Sequence, residues 1–418
     1  MRLGLLRDHD FRLLFTADTI SQVGTQVTIL ALPLVAVLTL DATALQVGVL
    51  AACETAAFLL VGLPAGALVD RLRRRGTMIV ADLLRAVLLA SVPLAWYLDR
   101  LQMPQLYVVG LLCGVCTVFF DVAYQSYLPF LVGKEHLVEG NARLEMVRST
   151  SQIGGPTVAG GLVRFLGGPL AIATDAASYL VSALALWRIR RIEPLPARKP
   201  DAHLGREILE GLRFVLGNRL LRAISMCTGT SNFFGSIFNA MLIIYLARDL
   251  ALSPAVIGLF FSVTGLGALA GAFLVGPAVR WFGQGPAMWI SILVGSLGML
   301  FMPFARADWR LWLAGAGYVV FGISVVVYNV TQVSFRQTIT PDDLLGRMNA
   351  TMRFIVWGTM PVGGLVGGLL GTAIGVHGTI WVACAGMLVS VVPLVLSPLR
   401  KLRELTSAPS AGTEVVRK

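Results

Sequence analysis

The sequence predicts an all-α membrane protein in which twelve transmembrane helices form two pseudo-symmetric six-helix bundles. Three observations lead to this fold class: an apolar composition, the number of apolar runs, and a repeat at half the chain length. Of the 418 residues, 56% are hydrophobic and 14% are charged, whereas a soluble domain carries about 25% charged residues. Twelve helices of about 20 residues each require about 240 residues. The composition therefore excludes a soluble enzyme and a disordered chain.

Apolar runs between charged residues or Gly and Pro breaks define the twelve candidate spans. The runs cover residues 12–39, 44–69, 77–97, 104–129, 144–165, 169–188, 221–246, 254–281, 286–305, 311–335, 351–374 and 378–397. We expect one six-helix bundle in residues 1–188 and a second in residues 221–400. Residues 189–220, which are rich in Arg and Pro and then amphipathic, would form a cytoplasmic linker, and residues 401–418 a cytoplasmic tail.

An internal repeat supports the division into two halves. A shift of 208 residues places Asn141-Ala142 on Asn349-Ala350 and Asp121 on Asn329. A repeat of half the chain with six spans in each copy predicts two parallel bundles. Such a pair of bundles would enclose a central cavity lined by spans 1, 4, 7 and 10.

The distribution of basic residues predicts the orientation in the membrane. Arg and Lys are concentrated at the termini, in residues 71–75, in the linker and in the other loops on that side. Because basic loops stay in the cytoplasm, both termini should be cytoplasmic. Arg outnumbers Lys 30 to 4 within a total of 34, which indicates a GC-rich bacterial genome and hence the bacterial inner membrane. The basic residues are not gathered on a soluble domain, so the net charge of +11 does not indicate nucleic-acid binding.

Polar side chains recur about one helical turn apart on the four spans that should line the cavity. In a membrane helix such side chains must face protein or water. Interhelical hydrogen bonding is the alternative role for any one of them. The candidate substrate-cavity residues are Gln22, Thr25, Tyr124, Gln125, Asn232, Asn239, Tyr318, Asn329 and Gln332.

Three acidic residues are candidates for proton coupling. Glu54 lies ten residues into span 2, about 15 Å deep at 1.5 Å per residue, with no basic residue within a turn. A charged carboxylate there costs roughly 3 kcal/mol, which favours a proton carrier, or alternatively a neutral, hydrogen-bonded structural residue. Asp18 and Asp121 lie on the predicted cavity stripes and would bind a proton or a cationic substrate. Asp82 and Arg85 have the i, i+3 spacing of a structural ion pair.

Residues 66–75, Gly-Ala-Leu-Val-Asp-Arg-Leu-Arg-Arg-Arg, resemble the loop signature G-x-L-x-D-R-x-G-R-R of the major facilitator superfamily, with Arg73 in place of the second Gly. Gly155-Pro156 followed by Gly160-Gly161 is similar to the antiporter motif of that superfamily, with one extra residue between the two pairs. Residues 119–129, 175–179 and 337–350 resemble the drug- and siderophore-exporter branch, which includes enterobactin and macrolide exporters. The resemblance implies the fold of this superfamily. The candidate residues of a conformational switch are Gly66, Asp70, Arg71, Arg74, Gly155, Pro156, Arg347 and Arg353.

These features favour a transporter without a cofactor or a metal. The sequence contains no G-x-x-x-x-G-K-[ST] motif, which excludes an ATP-driven pump on one chain, and no metal or catalytic cluster, so we do not expect an enzyme. We expect a monomeric secondary transporter that exports a small organic molecule, such as a drug, antibiotic or siderophore, in exchange for protons. An importer of a small solute and a non-transporting membrane sensor of the same fold are the alternatives.

Overall fold

The computed structural model describes residues 4–69, 71–191, 193, 204–341 and 344–403, and within these residues it contains helices and no strand. The first half of the chain forms α1 (His9–Leu38), α2 (Ala44–Val69), α3 (Arg74–Tyr97), α4 (Met103–Val132), α5 (Leu137–Leu166) and α6 (Gly168–Trp187). The rest of the chain forms α7 (Leu204–Gly217), α8 (Arg219–Ile244), α9 (Pro254–Phe282), α10 (Gln284–Met299), α11 (Arg310–Ile339), α12 (Leu345–Val389) and α13 (Val392–Leu396).

The helix α12 consists of two membrane spans joined at a glycine. Its 45 residues would reach about 68 Å at 1.5 Å per residue, which is more than twice the roughly 30 Å of a bilayer core. Gly375 has φ 78° and ψ 164°, a left-handed conformation that glycine adopts without a steric penalty. The chain turns there, and we call residues 345–374 the first arm of α12 and residues 376–389 its second arm.

With α12 divided in this way, the described residues provide twelve spans. Ten stretches are long and apolar enough to cross a membrane, and the two arms of α12 count as one of them. Helix α5 is not among the ten because its first half carries charged residues such as Glu139, Arg143 and Arg148, yet it packs between α1 and α9. The twelve-helix architecture expected from the sequence is confirmed.

Successive spans run in opposite directions, so the loops lie on two faces. We call the terminal face the one that contains the start of α1 and the end of α13, and the far face the opposite one, which contains residues 39–43 and 245–253. The amphipathic helix α7 lies at the terminal face and packs against the first arm of α12. Arg347 and Glu210 form an ion pair of 2.5 Å at this contact.

The two halves of the chain touch through glycines near the far face. A Cβ atom on Gly364 would lie 2.9 Å from the backbone nitrogen of Ala52, and one on Gly368 would lie 3.1 Å from the Cα atom of Gly48. On the other side of the molecule, a Cβ atom on Gly160 would lie 3.0 Å from the Cα atom of Gly258. Small residues permit this backbone-to-backbone contact between membrane helices. The far face is therefore closed between the halves.

Candidate functional site

A cavity of about 590 Å³ lies between the two halves, in the part of the molecule nearest the terminal face. Helices α2 and α4 form one wall, and α11 and the first arm of α12 form the other. This volume lies within the range of about 300–1,000 Å³ that is typical of small-molecule sites. Spans 4 and 10, which correspond to α4 and α11, were expected to line the cavity, whereas α2 and α12 were not.

Three charged side chains line this cavity among the residues that the structure describes. Asp121 on α4 is exposed to the cavity, and Arg336 on α11 and Arg353 on α12 lie on the opposite wall. The Nε atom of Arg336 is buried and has no hydrogen-bond partner in the described part of the chain. The guanidinium carbon of Arg353 lies 5.3 Å from the ring centroid of Trp357, a cation–π geometry.

Aromatic side chains from the two halves meet at the deep end of the cavity. The rings of Phe58 on α2 and Trp357 on α12 are perpendicular, with centroids 4.5 Å apart. Next to them, a Cβ atom on Gly358 would lie 3.0 Å from Leu59. Beyond this contact the glycine seam of the far face begins, so a molecule in the cavity has access from the terminal face and is blocked on the other side.

The first half of the chain contains a buried polar network beside the cavity. Asp82 and Arg85 form an ion pair, and the hydroxyl of Ser182 donates a hydrogen bond of 2.7 Å to Asp82. The Arg85 guanidinium lies 4.7 Å from the ring centroid of Phe120 and 4.2 Å from that of Tyr179. The network therefore connects α3, α4 and α6.

A hydroxyl contact extends this network to α1. The Tyr179 hydroxyl lies 2.8 Å from the hydroxyl of Thr25, and Thr28 donates a hydrogen bond to Asp175. Ser178 donates a second hydrogen bond of 2.8 Å to Asp175. Thr25, a candidate cavity residue, thus lies in the network rather than in the lining of the cavity.

The other candidate cavity residues are distributed between the cavity, the helix interfaces and the surface. Gln125 lines the cavity. Asn232 donates a hydrogen bond of 3.2 Å to the carbonyl of Val356 on α12. Tyr318 is buried against Phe260, with ring centroids 5.3 Å apart. These last two contacts lie within the second half.

The remaining five candidates lie outside the cavity lining. Tyr124 stacks on Phe120 at 6.0 Å, and Gln332 is buried with an Oε1 atom that has no described partner. Asn239 and Asn329 are exposed, and Gln22 belongs to the pair described next.

The candidate proton carriers occupy three different environments. Asp121 faces the cavity, whereas Asp18 is buried, with its Oδ1 atom 3.5 Å from Nε2 of Gln22. Glu54 is half-buried on α2 and lies against Gly110 of α4, where a Cβ atom would be 3.2 Å from its Cγ atom. Within the described residues the Glu54 carboxylate has no hydrogen bond or ion pair. It lies one helical turn closer to the far face than Phe58.

The candidate switch residues cluster at the terminal face, apart from the pair on α5. Gly66 and Arg71 lie at the end of α2, and Asp70 lies outside the described residues. Arg74 donates a hydrogen bond of 3.0 Å to the carbonyl of Ser126 and lies 3.7 Å from Glu193.

The switch residues of α5 and α12 are placed at interfaces. Gly155 packs against Gln26 of α1, and the carbonyl of Pro156 packs against Gly258 of α9. Arg347 contacts the linker helix through its ion pair with Glu210, and Arg353 lines the cavity.

Sequence reasoning missed the aromatic lining of the cavity. Phe58, Phe354 and Trp357 belong to spans that were not expected to face it. The one available signal is the spacing on α12, where Arg353, Phe354 and Trp357 lie within a helical turn of each other in an otherwise glycine-rich span.

The chain is similar over nearly its whole length to known exporters. The multidrug efflux pump Tap of Mycolicibacterium fortuitum is 28% identical over 410 residues, which cover 95% of this chain and 97% of that protein. The enterobactin exporter EntS of Salmonella typhi is 26% identical over 425 residues, which cover 99% of this chain and 98% of the exporter.

Solved structures agree on the fold. The nucleoside transporter NupG superposes with a TM-score of 0.74 at 12% identity, covering 94% of this chain and 98% of that one. A bacterial homologue of the iron transporter ferroportin in an inward-facing state superposes with a TM-score of 0.73 at 16% identity, with the same coverage of 94% and 98%. These two likenesses show the fold alone.

The profile of the transmembrane secretion effector family matches residues 2–416. The resemblance to the drug- and siderophore-exporter branch of the major facilitator superfamily is confirmed by this match and by the two exporters. The chain belongs to the transmembrane secretion effector family of the major facilitator superfamily, and it is a multi-pass membrane transporter rather than an enzyme.

Proposed function

We propose that the protein is a secondary active transporter that exports a small organic molecule by proton-coupled alternating access. The observation that carries this proposal is the cavity between the two halves, which is accessible from the terminal face and closed at the far face by the glycine contacts. A transporter that alternates between two states requires a central site of this kind that opens to one side at a time.

The direction and the substrate class are inferred from the relatives. Tap is a multidrug efflux pump and EntS is an enterobactin exporter, so a drug, an antibiotic or a siderophore is the proposed cargo. The cargo would enter at the terminal face, and rocking of the halves would then separate the Gly48–Gly368 and Gly160–Gly258 contacts to release it at the far face.

Proton coupling is assigned to three carboxylates. Asp121 faces the cavity and could exchange a proton with bound cargo, whereas Glu54 lies beyond the Phe58–Trp357 contact, on the side that opens in the second state. Asp18 is the third candidate. A carboxylate between two helices is tolerated best when it is neutral, so we propose that Glu54 takes up a proton from the far side and releases it at the terminal side.

We place the protein in the bacterial cytoplasmic membrane with both termini in the cytoplasm, and we expect it to work as a monomer with the lipid bilayer, protons and its cargo as partners. The basis is the excess of Arg and Lys in the loops of the terminal face. The terminal-face cavity would then be the cytoplasmic loading site.

The proposal is tested first by finding the cargo. Accumulation of a panel of antibiotics, fluorescent dyes and siderophores is compared in cells with and without the protein, and an exported compound is then followed in everted membrane vesicles. We expect uptake into these vesicles that a protonophore abolishes. Uptake into right-side-out cells would indicate an importer, and no response to any compound would favour a non-transporting sensor.

Alternating access is tested with a cross-link across the far-face seam. A Cβ atom on Gly371 would lie 2.8 Å from the Cβ atom of Ala44, so a small shift brings two cysteines there into disulfide range. In a background without the native cysteines, the Ala44→Cys, Gly371→Cys pair should stop transport when oxidised and restore it when reduced.

A matched pair within one half serves as the control. A Cβ atom on Gly271 would lie 3.1 Å from the Cβ atom of Val326, and both residues belong to the second half. A disulfide between Gly271→Cys and Val326→Cys should leave transport intact, because helices within a half move together. Full transport by the cross-linked seam variant would contradict rocking of the halves.

A further inference from the structure

The cavity between the halves carries an excess of positive charge. Among its described lining residues, Arg336 and Arg353 are cationic and Asp121 is anionic. No carboxylate in the described ranges lies within ion-pair distance of either guanidinium. Two arginines against one aspartate leave one positive charge that the lining itself does not balance.

One of the two guanidinium groups also has an unsatisfied hydrogen-bond donor. The Nε atom of Arg336 is buried without an acceptor among the described residues. A buried donor without an acceptor is costly, and an oxygen of a bound molecule would supply the missing partner. Guanidinium groups bind carboxylates and other oxyanions with two parallel hydrogen bonds when the geometry allows.

The wall next to the guanidinium groups is suited to a planar ring. Arg353 lies over Trp357, the ring of Phe58 meets Trp357 edge-on at 4.5 Å, and Phe354 completes the aromatic part of the lining. Aromatic rings and guanidinium planes both stack on flat, conjugated molecules. The cavity volume of about 590 Å³ accommodates a molecule with several fused rings.

We propose that the cavity selects planar aromatic compounds that carry an anionic group, such as an aromatic carboxylate or phenolate. Arg336 and Arg353 bind the anionic group, and Trp357 and Phe58 hold the ring. Asp121, on the opposite wall, repels the anion and so confines it to the side formed by α11 and α12. The statement that this ligand is the transported cargo depends on the proposed export function, whereas the binding preference does not.

The test uses two dyes that share one ring system and differ in charge. Fluorescein is an anion at neutral pH and rhodamine 123 is a cation, and both contain the three-ring xanthene. Binding to the purified full-length protein in lipid nanodiscs is measured by fluorescence anisotropy. We expect fluorescein to bind more tightly than rhodamine 123 by about tenfold or more, because a hydrogen bond between charged groups corresponds to at least that factor.

Variants identify the groups responsible. Arg353→Gln and Arg336→Gln should each weaken fluorescein binding by about tenfold while changing rhodamine 123 binding little or strengthening it. Asp121→Asn should strengthen fluorescein binding. Arg164→Gln is the matched control, because Arg164 is exposed at the far end of α5 and does not line the cavity.

The outcomes separate this inference from the export function. Tighter binding of rhodamine 123, equal binding of the two dyes, absence of binding, or fluorescein binding that both arginine variants leave unchanged would overturn the inference. A protein that exports cationic compounds and does not bind fluorescein would keep its export function and lose this specificity. Selective binding of fluorescein without gradient-driven transport of any compound would support this specificity and contradict the export function.

Discussion

Arg248 connects the two halves at the far face, and its removal should open that face. The residue lies in a π-helical turn, Tyr245–Asp249, at the end of α8. Its guanidinium donates hydrogen bonds of 2.7 Å to the carbonyl of Val37 and 2.8 Å to that of Ala42, both in the first half. Asp41, between them, has φ 49°, an uncommon conformation for a residue other than glycine that turns this loop toward Arg248.

The magnitude follows from the hydrogen bonds. A hydrogen bond to a charged group contributes about 1.5–3 kcal/mol, and the Arg248 side chain is 33% exposed, so we take the lower value for each of the two carbonyl contacts. Arg248→Gln should then cost the far-closed state about 3 kcal/mol. Because 1.4 kcal/mol corresponds to a factor of ten, the ratio of far-open to far-closed molecules should rise about 100-fold.

The ion pair with Asp41 should matter much less than the carbonyls. Its closest atoms are 3.4 Å apart, and the Asp41 side chain is 95% exposed. Surface ion pairs of this kind contribute little because water screens them. Asp41→Asn should therefore leave the equilibrium nearly unchanged, which distinguishes carbonyl contacts from charge pairing as the source of the effect.

Distances between spin labels measure the equilibrium directly. Labels at Arg100→Cys and Ala307→Cys, in a background without native cysteines, report the separation of the far-face loops of the two halves. Arg248→Gln should add a population with a longer distance. The control is Arg310→Gln, which removes a 3.9 Å contact to Asp308 within one half. The reasoning fails if Arg248→Gln leaves the distance distribution unchanged or if Arg310→Gln shifts it equally.

Three further predictions concern coupling, switching and topology. Glu54→Gln should abolish gradient-driven transport and leave cargo binding intact, and normal pumping would move the assignment to Asp18 or Asp121. Asp70→Asn should lengthen the distance between labels at positions 72 and 345. The sequence places the Asp70 carboxylate near the N-terminus of α12 when the terminal face closes, and a carboxylate at an exposed helix N-terminus contributes about 0.3–1 kcal/mol. A membrane-impermeant maleimide should react with Arg100→Cys in intact cells and with Arg219→Cys only after permeabilisation; the opposite pattern would reverse the orientation.

The sequence was sufficient to predict the helices and insufficient to predict the cavity. Apolar runs and the half-chain repeat predict the twelve spans because the bilayer imposes length and composition on each span separately. The cavity depends instead on which faces of α2 and α12 the two halves turn toward each other, and this differs between the states of a transporter. The glycine-rich run of the first arm indicated packing and did not reveal that Arg353 and Trp357, one turn before it, face an open space.

The contact of Arg248 illustrates a second limit of sequence reasoning. Its acceptors are the main-chain carbonyls of Val37 and Ala42, more than 200 positions away in the chain. Every residue carries such a carbonyl, so nothing in the side-chain pattern identifies the partners. Charge pairs at i, i+3 spacing, by contrast, are readable because the helix itself brings them together.

The Asp82–Arg85 pair allows a test of whether a buried ion pair in this fold is structural. Both side chains are nearly inaccessible, with 0% and 6% exposure, so Asp82→Leu would leave a buried guanidinium uncompensated, at a cost of about 3–5 kcal/mol. Replacing both residues, as Asp82→Leu with Arg85→Met, removes the guanidinium charge together with the carboxylate that neutralises it. The double variant should therefore lose less folding stability than the single variant.

The stabilities of these variants are compared by unfolding in detergent. Unfolding is monitored through the reaction of the buried native cysteines with a thiol-reactive dye. Glu139→Gln is the control, because its ion pair with Arg143 is accessible to water, with side chains 38% and 26% exposed, and the loss of such a pair should have little effect. A double variant that is more stable than the single variant and still transports identifies a structural pair. A double variant that folds but fails to transport would show that the charges themselves take part in the cycle, since Arg85 also contacts Phe120 beside the cavity residue Asp121. A single variant as stable as the double one would contradict the premise that the guanidinium needs its partner.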